Sequence, residues 1–94
     1  MLKYIRKGNN GKMFLAKITV KLKKNVKNPE TQTLETLLRR LNFAEVKKIA
    51  FAKVYEIKID AKNKAEAQKI AAEIAEKTLY NPIIEEFEVI ILHE

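Results

Sequence analysis

Between Phe14 and Leu22 apolar and polar side chains alternate: Phe14, Ala16, Ile18, Val20 and Leu22 fall on one face, while Lys17, Thr19, Lys21 and Lys23 fall on the other, where only Leu15 is apolar. A period of two predicts a strand with one buried face. The period then changes. Leu34, Leu37, Leu38 and Leu41 recur at i, i+3, i+4 and i+7, which places one apolar stripe along a helix. Asn28-Pro29-Glu30 marks its start: an asparagine that caps, a proline suited to the first helical position and a carboxylate that complements the dipole. Asn42 ends it, and Glu35, Arg39 and Arg40 are left for solvent or a partner.

The stretch from Val46 to Asp60 is too long and too β-branched for one ordinary strand, and it shifts phase midway. Two strands are predicted, with Ile49 and Phe51 on one face of the first, Tyr55, Ile57 and Ile59 on one face of the second, and a tight turn near Ala52-Lys53. That turn contains neither glycine nor asparagine, the residues that take positive φ cheaply, so a bent continuous strand is the alternative. Asn63 with Glu66 three residues on resembles a capping box opening a second helix. Its apolar side, Ala67, Ile70, Ala71, Ile74, Ala75 and Thr78, is narrow and made mostly of small residues, suited to lying close on a sheet. Asn81-Pro82 stops it, because the residue before proline is pushed out of the α region. The last strand, Ile83 to Leu92, ends in Val89-Ile90-Ile91-Leu92, a run that reads as buried on both sides.

Strand, helix, strand, strand, helix, strand is the order of an α+β, ferredoxin-like βαββαβ domain: one four-stranded antiparallel sheet with two helices on one face. The other face of that sheet lacks cover. Leu15, Val46, Val54, Ile84, Ile90 and Leu92 are assigned to it, and this face or an edge strand is expected to pair with another subunit.

Size strengthens the expectation of an oligomer. A chain of 94 residues makes one domain that buries roughly two-thirds of its unfolded surface. With no cysteine, neither disulfides nor thiolate-bound metal can add stability. The formal charge of +7 would ordinarily favour nucleic acid. Four of the positive charges, Lys3, Arg6, Lys7 and Lys12, lie in the first twelve residues, so the remaining 82 carry only +3. Residues 1–12 also hold both glycines and lack the alternation that follows; they read as an N-terminal extension or added tail ahead of Met13, and residues 13–94 as a single domain. No apolar run approaches the roughly 20 residues of a membrane span, and the first dozen residues have no signal-peptide core, so a soluble, cytoplasmic protein is expected.

Catalytic chemistry has little to work with. Neither serine nor cysteine is present, and the single histidine, His93, stands next to the end of the chain. Glu85, Glu86 and Glu88 alternate across a strand, which suits solvent or subunit pairing better than a metal ion. Residues 13–94 contain no glycine with which to cradle phosphate. No catalytic, cofactor-binding or metal-binding residue is therefore expected. Lys17, Thr19, Lys21, Lys23, Lys24 and Lys27 form a basic row, but no aromatic side chains are interleaved with it for stacking bases.

Several segments resemble PurS, the small subunit of phosphoribosylformylglycinamidine synthase: Phe14 to Leu22, Asn28-Pro29 leading to Leu34, Val46-Lys47-Lys48-Ile49, Ala52-Lys53-Val54-Tyr55-Glu56-Ile57, and above all Asn81-Pro82-Ile83-Ile84-Glu85-Glu86-Phe87-Glu88-Val89. The resemblance covers residues 13–94. Two turns depart from the family pattern, with Asn28-Pro29-Glu30-Thr31 in place of an Asp-Pro-x-Gly and Ala52-Lys53 in place of a Gly-Lys. It implies a non-catalytic subunit of an ATP- and glutamine-dependent C–N ligase of purine biosynthesis. Homodimers or dimers of dimers would bridge the glutaminase subunit PurQ and the synthetase subunit PurL and assist ammonia transfer. ATP, magnesium and glutamine would be used by those partners, with no cofactor bound by this chain. Partner contacts are expected at Arg39, Arg40, Lys53, Tyr55, Asn81, Glu85 and Glu86, and neither nucleic acid nor membrane is expected as a partner. The alternative is a regulatory or RNA-binding ferredoxin-like module, since this fold hosts unrelated functions.

Overall fold

The computed structural model describes residues 12–93; the predicted tail lies almost wholly outside them. The first strand, β1 (Lys12–Leu22), is the centre of a three-stranded antiparallel sheet of order β2-β1-β3, with β2 spanning Ala52–Ala61 and β3 Glu85–His93. Alternation sets the register. Ala16 stands between Ile57 and Ile91, and Ile18 between Tyr55 and Val89, so inward residues of all three strands share one face. Helix α2 (Lys64–Ile74), continued by a π-helical turn at Ala75–Leu79, covers that face. Ala67, Ala71 and Ala75 are fully buried against Phe14, Ala16, Ile18, Val20, Ile59, Ala61 and Ile91. A methyl is all that stands between helix backbone and sheet at these positions, which permits close approach. Tyr80 and Phe87 extend the core edge to face, with ring centroids 4.8 Å apart.

Helix α1 (Pro29–Arg40) begins and ends as its sequence predicts. Asn28 Oδ1 accepts the Glu30 N–H at 2.8 Å, and Pro29 occupies the first turn. At the other end Asn42, with φ 71°, lets the Phe43 N–H reach the Leu38 carbonyl at 2.9 Å and its own N–H reach the Arg39 carbonyl at 3.0 Å. These are the two bonds of a Schellman cap.

Several expectations change. The sheet has three strands instead of four, because residues 46–51 form no strand and the Ala52-Lys53 turn does not exist. Nothing there adopts positive φ, so the chain runs forward into β2 instead of reversing. Only one helix lies on the sheet: α1 buries no residue and makes no substantial packing contact with the sheet or with α2. The described residues accordingly extend 60 × 27 × 25 Å, with a radius of gyration of 18.1 Å, against about 12 Å for a compact domain of this length. Finally, the Val89–Leu92 run is not buried on both sides. Ile91 is buried, while Ile90 and Leu92 are exposed, because only α2 covers the sheet. Val54 joins them on the uncovered face and Leu15 is half-buried there, whereas Val46 and Ile84 fall outside the strands.

Candidate partner-binding surface

Two apolar surfaces lack cover within the chain. The first is the α1 stripe, where Leu34, Leu37 and Leu41 remain 43%, 47% and 57% exposed and Phe43 follows directly. The second is the outer face of the sheet, where Leu15 is paired with Leu92 and Lys17 with Ile90. In both, exposed apolar side chains are neighbours of one another, unlike the single scattered ones normal for a soluble surface. Sequence periodicity revealed the α1 stripe, but helical spacing says only that a face is apolar and not what covers it.

The predicted contact residues are spread over three regions. Arg39 and Arg40 sit exposed in the last turn of α1, and the Arg39 guanidinium lies 3.9 Å from Glu35. Glu35 is committed elsewhere too: its Oε2 accepts the Ile49 N–H at 2.7 Å and ties the irregular segment after α1 to the helix. Lys53 is exposed at the start of β2, opposite Val20. Tyr55 is half-buried opposite Ile18 and packs against the core, so its body is committed to the fold. Asn81 and Glu85 meet in the turn before β3, where the Asn81 N–H donates to Glu85 Oε1 at 2.7 Å. Glu86 projects to the opposite sheet face and lies 3.8 Å from Lys21. The structure thus joins Asn81 with Glu85 as internal partners, and it keeps the arginines of α1 far from both.

The basic row also resolves into parts. Lys17 and Lys21 lie on the uncovered face beside Glu56 and Glu86, while Lys23 Nζ donates to the Pro82 carbonyl at 2.7 Å. No aromatic residue shares that face among the described strands, so the platform that stacks RNA bases has no counterpart here. On α2, the exposed Glu73 and Lys77 bond at 2.9 Å. The hydrogen bond and charge of Lys77 hold the Glu73 carboxyl below its ordinary pKa, and Glu73 raises that of Lys77. Among the described residues no group of His, Asp and Glu side chains is arranged to hold a metal ion, and no helix is long and apolar enough to cross a membrane.

Residues 15–93 match the family model of PurS, phosphoribosylformylglycinamidine (FGAM) synthase. The chain belongs to the PurS family. The PurS subunit of Archaeoglobus fulgidus is 37% identical over 76 residues, covering 81% of this chain and 95% of the relative. The crystal structure of the Thermotoga maritima PurS subunit superposes with a TM-score of 0.79 at 32% identity, over 93% of this chain and all of that one. Methanocaldococcus jannaschii PurS, one of the subunits of formylglycinamide ribonucleotide amidotransferase in the purine biosynthetic pathway, gives 0.77 at 32% identity over 86% of this chain and 98% of its own. A chain of the Thermotoga maritima PurLQS structure, 35% identical, also gives 0.77, over 85% of this chain and 98% of that one. These PurS structures share the α+β arrangement of a sheet with two helices.

Proposed function

We propose that this chain serves as the non-catalytic PurS subunit of FGAM synthase in the cytoplasm, self-associating and holding the glutaminase PurQ and the synthetase PurL in one complex. The observation that carries this reading is the pairing of a PurS-family sequence with large uncovered apolar surfaces and no constellation of reacting groups among the described residues. The Thermotoga maritima PurLQS structure, whose PurS chain is 35% identical, supports assembly with both partners. ATP, magnesium and glutamine are handled by those partners. Ammonia released in one active site is lost to protonation in bulk water, so holding donor and acceptor sites in register raises the effective concentration of one enzyme's product at the other.

Self-association uses α1. A second copy covers Leu34, Leu37, Leu41 and Phe43, burying apolar side chains that the single chain leaves in water. It also offers the sheet its fourth strand: the outer edges of β2 and β3 have no partner among the described residues, and the strand-free segment 46–51 is available to add to one of them. Reconstitution tests the whole reading. Glutamine-dependent FGAM formation by PurQ and PurL should require this chain, and equal coupling without it would end the bridging role.

A further inference from the structure

The turn between α2 and β3 is held by more bonds than a connection requires. Asn81 Oδ1 accepts the Ile83 N–H at 3.0 Å, and the Asn81 carbonyl accepts the N–H groups of Ile84 and Glu85 at 3.2 and 2.8 Å. Glu85 Oε1 accepts the Asn81 N–H and Lys23 Nζ donates to the Pro82 carbonyl, both at 2.7 Å. The Lys23 N–H also donates to the Ile84 carbonyl at 2.9 Å, fastening the turn to the chain just after β1. This frame presents three apolar residues in a row. Pro82, Ile83 and Ile84 are all exposed, and Ile83, at 80%, is the most exposed large apolar residue among those described. Ordering them in water gains the single chain nothing, but a partner that receives them finds the backbone already fixed.

The surroundings of the turn say what kind of partner fits. A hollow of about 290 Å³ opens beside it, lined by Lys23, Tyr80, Pro82, Glu85, Glu86 and Phe87. Carboxylates thus stand next to the edge-to-face pair of Tyr80 and Phe87. That combination receives a basic side chain: carboxylates accept its N–H groups and aromatic rings attract its charge. Lys23 does not serve the purpose itself, because its ammonium is turned to the Pro82 carbonyl. Glu86 is only loosely paired, 3.8 Å from Lys21 with both side chains about half exposed. Exposed Glu88, farther along β3, pairs with no lysine or arginine among the described residues. Of the two enzymes, the synthetase uses ATP, whose phosphates call for basic groups, whereas the glutamine taken by the glutaminase carries no net charge. Charge complementarity therefore favours the synthetase.

We propose that the Pro82–Ile84 turn is the element by which this chain docks on the synthetase subunit PurL. Ile83 enters an apolar recess on PurL, and a lysine or arginine beside that recess enters the hollow against Glu86 and Phe87. Asn81 and Glu85 are positioning residues that fix the turn. The proposal rests on the bridging role described above and assigns one of its two contacts; the leucine stripe of α1 takes no part in it.

Calorimetric titration of the full chain into purified PurL, into PurQ and into their mixture tests it. Wild type is expected to bind PurL with an affinity that falls as salt rises. Ile83→Asp should weaken that binding at least tenfold while leaving circular dichroism, self-association by sedimentation and PurQ binding unchanged, and Ile83→Leu should keep most of it. Glu86→Gln should weaken it several-fold and flatten its salt dependence. Glu85→Ala should also weaken it several-fold, while Glu85→Gln, which keeps an oxygen acceptor for the Asn81 N–H, restores it. With the chain limiting, glutamine-dependent FGAM formation supported by Ile83→Asp should fall at least tenfold and recover as more chain is added, the mark of lost affinity. PurL binding indifferent to Ile83→Asp overturns the proposal and leaves the bridging role standing. Loss of PurQ binding with PurL binding intact overturns it and assigns the turn to the glutaminase, and altered self-association with both enzymes still bound overturns it in favour of a second copy. A wild type that joins neither enzyme, singly or mixed, overturns the bridging reading as well.

Discussion

Helix α2 and its π-helical continuation bury Ala67, Ala71 and Ala75 completely, whereas the four leucines in helical register along α1 and at its C-cap are none of them buried. Amphipathic contrast alone would rank the helices the other way. What separates them is the distance each permits. Alanine lets a helix backbone settle onto a sheet, and the flanking Ile70 and Ile74 then fill the margins, half-buried. A ridge of leucines calls for a deeper groove, and the face of β1 that could offer one is already occupied by α2. The helix with the stronger apolar stripe is therefore the one left uncovered within the chain.

Placing a charge on each helix should separate the two most sharply. Ala71→Asp buries an unpaired carboxylate between α2 and the sheet and is expected to cost about 3–5 kcal/mol, read as a large fall in the urea midpoint. Leu37→Asp at the same protein concentration should weaken self-association at least tenfold by sedimentation, yet change the stability of the dilute single chain by no more than about 0.5 kcal/mol. If Leu37→Asp unfolds the dilute chain, α1 is part of the intrachain core and the contrast fails.

Caps refine the comparison at lower energy. Both helices open on an asparagine whose Oδ1 accepts a backbone N–H at 2.8 Å, from Glu30 in α1 and from Glu66 in α2. Asn63→Ala should lower global stability by about 1 kcal/mol because α2 carries the core. Asn28→Ala should reduce helicity by circular dichroism with a global change of only about a few tenths of a kcal/mol, since α1 is not packed on the sheet. The smallest effect concerns Glu73 and Lys77. Because the folded chain holds the Glu73 pKa below its ordinary value, the pair's contribution is present above the ordinary carboxylate pKa and fades as pH falls through the lowered one. A slight difference in melting temperature between wild type and Glu73→Gln should accordingly be seen near neutrality and vanish in acid.

Much of the scaffold was legible in the sequence, and the reasons are local. Strict alternation from Phe14 to Leu22 fixes β1 and its inward face. Asn28-Pro29 and Asn63 announce both helix starts, and Asn42 their one left-handed exit. One detail differs: Glu66 reaches back to the Lys62 N–H at 2.8 Å instead of to the cap residue. Residues whose role depends on what lies across from them were harder to place. Nothing in Leu34, Leu37 and Leu41 distinguishes a face that meets its own sheet from one that meets another chain. The missing glycine at Ala52-Lys53 was the clue against a hairpin, and there local backbone chemistry outweighed the change of phase. Among the contact candidates, Asn81 and Glu85 carry polar groups that suit an interface equally well, and only their mutual hydrogen bond reveals that they brace a turn. Ile83, which that turn presents, looked like the first residue of a strand.

The placement of β1 at the middle of the sheet bears on how the chain is made. It is made before both of its neighbours, one of which follows about thirty residues later and the other about sixty. Throughout translation its apolar face and one or both hydrogen-bonding edges stay open, so the nascent chain has a strong pull toward chaperones or toward other unfinished copies. Premature release just before Glu85 would strip one whole edge from β1 and leave a sticky fragment, where a comparable loss from α1 would leave the sheet intact.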